Sequence, residues 1–257
     1  MQDRYAGDVG DFGKYGLLRR LSGSDPRLSL GVVWYRTDEE VVQRDPPNDG
    51  RHISYLNPNR SQRFKPCDPD LYCELANLVE KGNRTIGAVE SSRILPSDTV
   101  YCSDPLQAPR GESVGQRLHR RAQWLAATAN VVLNRDIVFV DPDNGLESPS
   151  VHVGSTKAPK YVFLSDLDAI MGPNQTLIAY HHLARVPRLA EVQRRTTQLS
   201  MHLHRRAFAL HFRRGTSRAF LIAPAREHEE VIGTRVREML AGPWAEHFER
   251  IDVPASV

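Results

Sequence analysis

Apolar, strand-like runs alternate with amphipathic, helix-like segments through most of this 257-residue sequence, and that alternation constrains the fold more than any other feature. "LSLGVVWYRT" (28–37) is a continuous apolar run rich in β-branched and aromatic residues, which reads as a buried strand. "DPDLYCELANLVEKGN" (68–83) reads as a helix: Asp68 is placed to cap it, Pro69 takes its first position and Gly82 stops it. Further helices are expected over 13–22, 115–130, around 186–206 and over 226–242, the last stopped by Gly242. Strands are expected over 85–92, 137–140, 175–183 and 217–224, and a strand then a helix over 160–171. Such alternation predicts an α/β fold, a Rossmann-like, doubly wound and mostly parallel sheet with helices on both faces. We read residues 1–257 as one domain with a helical insertion around 57–135.

Ligands of doubly wound sheets sit beyond the carboxyl ends of the strands. The segments after Tyr35, Val140 and Tyr180 are therefore the candidate site loops. "VFVDPDNG" (138–145) gives the strongest signal. It puts Asp141 where an apolar strand meets the sheet edge, followed by Asp143 and Asn144. The same five residues, Asp-Pro-Asp-Asn-Gly, also make a good turn. "NDGRH" (48–52) adds Asn48, Asp49 and His52 after the first strand. In "YHHL" (180–183) the alternation of a strand sends His181 and His182 to opposite faces.

The chain opens on "YAGDVGDFGKYGLL" (5–18), a glycine-rich segment carrying Asp8, Asp11 and Lys14. It reads as a loop entering a helix, with glycines that let backbone approach a ligand. It is not a Walker loop, since no Gly-Lys-Ser or Gly-Lys-Thr occurs in it.

Composition narrows the class. No run approaches the roughly 18 apolar residues of a membrane span, and Asp3 and Asp8 interrupt any signal-peptide pattern. A cytoplasmic protein without a membrane partner is expected, and an oligomer is compatible with the sequence. Cys67, Cys73 and Cys102 are odd in number and lack CxxC spacing, so buried or half-buried thiols are expected rather than disulfides or a zinc knuckle. The net charge is +3, and only five of the 34 Lys and Arg residues are lysine. Arginine is the better reader of phosphates. Arg205, Arg206, Arg213 and Arg214 are the candidate nucleic-acid contacts; a solvated helix face whose arginines pair with acids such as Glu191 is the plainer alternative.

In this order the motifs resemble the large-subunit ribosomal RNA adenine methyltransferases of the RlmJ type. "YAGDVGDFGKYGLL" keeps Ala6, Gly7, Asp11 and Lys14 at that family's spacing, with Tyr5 and Tyr15 replacing its histidines. "FVDPDNGLE" is similar to the family's catalytic Asp-Pro-Pro-Tyr, "LIAYHHL" to a later strand, and "RRGTSRAFLIAPAREHEEVIGTRVREML" to its terminal strand and helix. Asp143 and Asn144 stand where the family has proline and the aromatic that stacks on the flipped base, a contact worth about 1–3 kcal/mol. The resemblance implies an S-adenosylmethionine-dependent methyltransferase acting on DNA or RNA. Asp141, Asp143 and Asn144 would then be catalytic. Gly7, Asp8, Asp11, Lys14, Tyr35, Asn48 and Asp49 would bind the cofactor, with the opening segment folded over the cofactor mouth in the same cleft as Asp141. Two other classes stay open: a metal-dependent nuclease or phosphoesterase holding Mg2+ on Asp141, Asp143 and Glu147, and an inactive nucleic-acid-binding subunit of a defence or modification system.

Overall fold

The computed structural model describes residues 3–23, 25–37, 52–183 and 187–253. Its helices are α1 (Val9–Ser22), α2 (Pro58–Phe64), α3 (Pro69–Glu80), α4 (Ile86–Glu90), α5 (Val114–Val132), α6 (Leu164–Ile170), α7 (Arg188–Leu203) and α8 (Glu229–Ala241). Its strands are β1 (Leu30–Val33), β2 (Val100–Cys102), β3 (Ile137–Val140), β4 (Gly145–Leu146), β5 (Tyr161–Val162), β6 (Thr176–His182), β7 (Phe208–Phe212), β8 (Arg218–Ala223) and β9 (Phe248–Asp252). Seven strands form one sheet in the order β2-β1-β3-β6-β8-β7-β9, and β4 and β5 make a small parallel pair beside it.

The α/β reading holds. β2, β1, β3 and β6 run parallel, and β1, β3 and nearly all of β6 are buried, as expected of a sheet covered on both faces. Side chains alternate between two cores. Val32, Phe139, Ile178 and Phe220 pack with α1, α3 and α8. Val33, Val138, Val140 and Ala179 pack with α5, α6 and α7. The far side of the sheet is different: β8 lies antiparallel between β6 and β7, and β9 antiparallel to β7.

Most predicted helices stand where their caps put them. The Asp68 carboxylate accepts the Leu71 N–H and Pro69 opens α3, and Gly242 ends α8. Residues 85–92, expected as a strand, instead hold the short helix α4, because the Thr85 side chain caps it by accepting the Ala88 N–H. Within 57–135 the helices α2 to α4 precede the edge strand β2 and the crossover helix α5. Cys102 is buried and Cys67 half-buried as expected, but Cys73 is exposed; all three are free thiols. No helix among the described residues is long and apolar enough to cross a membrane.

The glycine-rich opening is a helix, not a loop. α1 starts at Val9 because the Asp8 side chain accepts the Asp11 N–H. Nearly every residue of α1 is buried, so it lies inside the molecule rather than on it. Gly7 precedes the helix, and Gly10, Gly13 and Gly16 recur at every third residue within it, so successive ones are neighbours on its surface. A Cβ at these positions would overlap Val79, Arg218, Phe212 and Trp244 respectively. The glycines are sockets for side chains, not approaches for a ligand.

This arrangement predicts opposite outcomes for two Gly→Ala substitutions. Alanine favours a helix by about 1 kcal/mol over glycine. At Gly13 the added methyl meets the Phe212 ring, which is itself backed by Phe248 at 4.9 Å between centroids. Gly13→Ala should therefore lose about 1–3 kcal/mol. At Gly87 nothing lies within 4 Å of the added Cβ, so Gly87→Ala should be neutral or stabilising. Urea denaturation of the two variants checks both signs, and a Gly13→Ala variant as stable as wild type would contradict the socket reading.

Candidate functional site

The sheet reverses its winding between β1 and β3. The chain leaves β1 for the edge strand β2, then returns past β1 to build β3 and β6. The crevice beyond the carboxyl ends of two such strands is the expected ligand position. Asp141 stands there. Its N–H donates to the Val33 carbonyl at 2.9 Å, which continues the β1–β3 ladder and fixes the start of the loop.

The Asp141 side chain meets α1. Lys14 Nζ donates to Asp141 Oδ2 at 2.7 Å and to Asp11 Oδ1 at 2.9 Å. Asp11 Oδ2 accepts the Gly7 N–H at 3.1 Å and the Tyr15 hydroxyl at 3.2 Å. All three charged residues are at most 3 % exposed. Asp141 is thus a buried, paired carboxylate and not the exposed strand-end acid its position in the sequence implies. Burial alone would pull the Lys14 ammonium down, but Asp11 and Asp141 more than offset this and hold it above the ordinary lysine value. Burial raises Asp11, and Lys14 only partly reverses the shift. Burial and the Asp11 charge also keep the Tyr15 phenol well above its usual range.

Beside this triad lies a cavity of 210 Å3. Asp8, Asp11 and Lys14 line it from the start of α1, and Asp141, Pro142, Asp143 and Asn144 from the β3 loop. Tyr5, His52, Lys160, Tyr180, His182, Thr216 and Arg218 complete the wall. The expectation that Asp141 and the opening segment share one cleft is met, and six predicted residues are gathered in it. Asn144 is held by its N–H donating to the Lys160 carbonyl at 2.9 Å. His181 and His182 do diverge: His182 faces the cavity, while His181 is buried with Nδ1 accepting the Leu146 N–H at 3.1 Å. Burial pulls His181 down to about 4, so it is a neutral structural imidazole at pH 7.

Other predicted residues lie elsewhere. Gly7 has φ 82°, and a Cβ there would meet Val79 and Leu78 rather than the cavity. Tyr35 turns to the other face of the sheet; its hydroxyl donates to Asp166 Oδ2 at 3.3 Å, beside the buried Arg121–Asp166 ion pair. Asn48 and Asp49 fall outside the described residues. Glu147 points away: its Oε2 accepts the Leu164 N–H at 3.0 Å. The Asp141, Asp143 and Glu147 metal set is therefore not assembled. Among the described residues no group of three or more His, Cys, Asp or Glu side chains is arranged to hold a metal ion.

The arginines do not form one groove. Arg205 and Arg206 precede β7 and Arg213 and Arg214 follow it, so the two pairs lie at opposite edges of the sheet. Arg205 Nη1 donates to the Gln175 carbonyl at 2.7 Å. Arg213 donates to the Phe248 carbonyl at 2.9 Å, and Arg214 to His247 Nδ1 at 2.9 Å. Arg194 and Arg195 both pair with Glu191. Burial would raise Glu191, but those two guanidinium groups hold it at about 2.

Sequence reasoning missed Arg218, Thr216, Tyr180 and Lys160. Arg218 carried a signal, a lone charge opening an apolar strand. Only the antiparallel direction of β8 explains why that charge arrives at the carboxyl edge, opposite His182.

The triad yields a pH-dependent prediction. Lys14→Met leaves Asp11 and Asp141 buried without their cation, and breaking a buried pair costs about 3–5 kcal/mol. The folded variant should then hold protons that its unfolded chain releases, so its stability rises as pH falls from 7 toward 5. In the wild type the raised Lys14 contributes stability that is complete below the ordinary lysine value and is lost only as pH rises beyond it. Denaturation of both proteins across pH 5–8 checks this, and a deficit that does not shrink on acidification would contradict it.

No family model and no curated protein matches this chain. Among solved structures it is similar to the crystal structure of human methyltransferase-like protein 13 in complex with SAH, with 14 % identity, 89 % of each chain covered and a TM-score of 0.31. At that level no residue correspondence or activity is transferred from the neighbour to this chain.

Proposed function

We propose that this chain is an S-adenosylmethionine-dependent methyltransferase whose acceptor is a nucleic acid, in keeping with the motif order that resembles the RlmJ-type enzymes. One observation carries the reading: Asp141, at the switch point of a doubly wound sheet, shares a cavity with Asp8, Asp11 and Lys14 of the opening segment.

The cavity lining fits the cofactor in kind. Carboxylates and cations of opposite walls suit the zwitterionic methionine end, and Tyr5 and Tyr180 add aromatic surface. When bound, the cofactor supplies a methyl group already activated on a sulfonium, so the protein contributes alignment and electrostatics. Lys14 pairs with the Asp141 carboxylate and fixes its direction, and Asp141 with Asn144 would orient the acceptor group. The basic groups around the cavity, Lys160, His182 and Arg218, support a phosphate-bearing acceptor in place of the arginine groove expected from sequence.

Calorimetric titration with S-adenosylhomocysteine should show saturable binding. Labelled methyl transfer should appear on DNA or RNA. Asp141→Asn, still folded by circular dichroism because Lys14 keeps its bond to Asp11, should lower transfer by about a hundredfold or more. Absence of both cofactor binding and transfer to either nucleic acid would remove the proposal.

A further inference from the structure

Arg218 is the most deeply buried of the three basic groups set around the cavity, and the inference drawn from it deepens the proposed reading of that site. It is 6 % exposed. Its Nε donates to the Thr216 carbonyl at 3.1 Å and its Nη2 to the Thr216 hydroxyl at 2.6 Å. The guanidinium carbon lies 6.0 Å from the Tyr180 ring centroid. It forms no ion pair with any carboxylate among the described residues, and Nη1 has no acceptor there. A buried guanidinium without a counter-ion is costly, and such groups are normally paired.

The surroundings hold it in that state. The guanidinium lies over Gly10, where any side chain would overlap it. In the same turn the Gly10 N–H, one of the orphan donors of a helix start, has no acceptor among the described residues. Of the four cavity acids, Asp8 accepts the Asp11 N–H, and Asp11 and Asp141 pair with Lys14. Thr216 uses two of the five guanidinium N–H groups and so fixes the plane of the fork, with Nη1 seated against Gly10 and the side chain lining the cavity.

We infer that Arg218 is the anion-binding residue of this cavity, built to receive an oxyanion of a bound ligand on the guanidinium N–H groups that Thr216 leaves unused. The oxyanion is a carboxylate, if it comes from the amino-acid end of the cofactor, or a phosphate, if it comes from a nucleotide. The inference rests on Arg218 and its neighbours and does not require methyl transfer.

Isothermal titration of the wild type, Arg218→Gln and Arg218→Lys with inorganic phosphate, adenosine monophosphate, S-adenosylhomocysteine and methylthioadenosine separates the cases. Methylthioadenosine has neither carboxylate nor phosphate. Arg218→Gln should weaken at least one of the anionic ligands by about tenfold or more and leave methylthioadenosine unchanged. Arg218→Lys should retain part of the affinity. Weakening confined to S-adenosylhomocysteine identifies the carboxylate; weakening confined to phosphate and the monophosphate identifies the phosphate. A phosphate result without S-adenosylhomocysteine binding removes the methyltransferase reading and leaves the anion site standing. Wild type that binds none of the anions, or Arg218→Gln that binds them equally well, overturns the inference. If Arg218→Gln does not fold, the arginine Nε–H resonances of labelled wild type decide: the Arg218 signal should move on phosphate or S-adenosylhomocysteine addition, and a signal that stays fixed with both overturns it.

Discussion

Lys14 ties the first helix to the end of a central strand through buried charge. It comes from the second turn of the first helix, and its two carboxylate partners are Asp11 on that helix and Asp141 at the end of a central strand. Three buried charges are expensive to desolvate, and each is tolerated only because the others are in place and the remaining oxygens are hydrogen-bonded. The position of the helix, the aim of Asp141 and the charge in the cavity are therefore one property. A shift of the helix by a fraction of its pitch would break all three.

The glycine face makes that position attainable. A helix with ordinary side chains at 10, 13 and 16 would stand away from Arg218, Phe212 and Trp244, and Lys14 would not reach the end of β3. The fold and the site thus depend on the same small set of residues. Arg218 shows this most directly. Its guanidinium occupies the space a side chain at Gly10 would take, so what packs the helix against the sheet also lines the cavity.

Much of this was legible in the sequence, and the limits have physical causes. Helix caps are local, so the Asp68–Pro69 start and the Gly242 stop read correctly. A strand that ends in an acid is also local, and with the winding rule it put Asp141 at the sheet edge; the family resemblance placed the opening segment beside it. The strand expected at 85–92 failed because Thr85 offers its side chain to a helical N–H, an alternative that β-branched composition does not reveal. β2, of three residues, is too short for periodicity to register. Glycines read as loop because an isolated glycine disfavours helix; that three of them follow one another along the helix surface matters only when a neighbour fills the gaps. The arginines read as a groove because charge carries no direction along a chain, and five residues of β7 suffice to put 205–206 and 213–214 at opposite ends of the sheet. Tyr35 failed for the same reason as any strand residue misjudged by one position, since adjacent side chains leave by opposite faces.

The sockets on the first helix also bear on how the chain reaches its fold. Gly10, Gly13 and Gly16 lie some two hundred residues along the chain from the side chains that fill their sockets, Arg218, Phe212 and Trp244. Contacts separated by some two hundred residues form late and slowly. Until they form, the chain carries a helix whose Phe12, Tyr15, Leu17, Leu18 and Leu21 lack their cover, apolar surface of the kind that aggregates recruit. Here the cavity is finished by the same late step that closes the core, so a chain with an incomplete site is also a chain with an open interior.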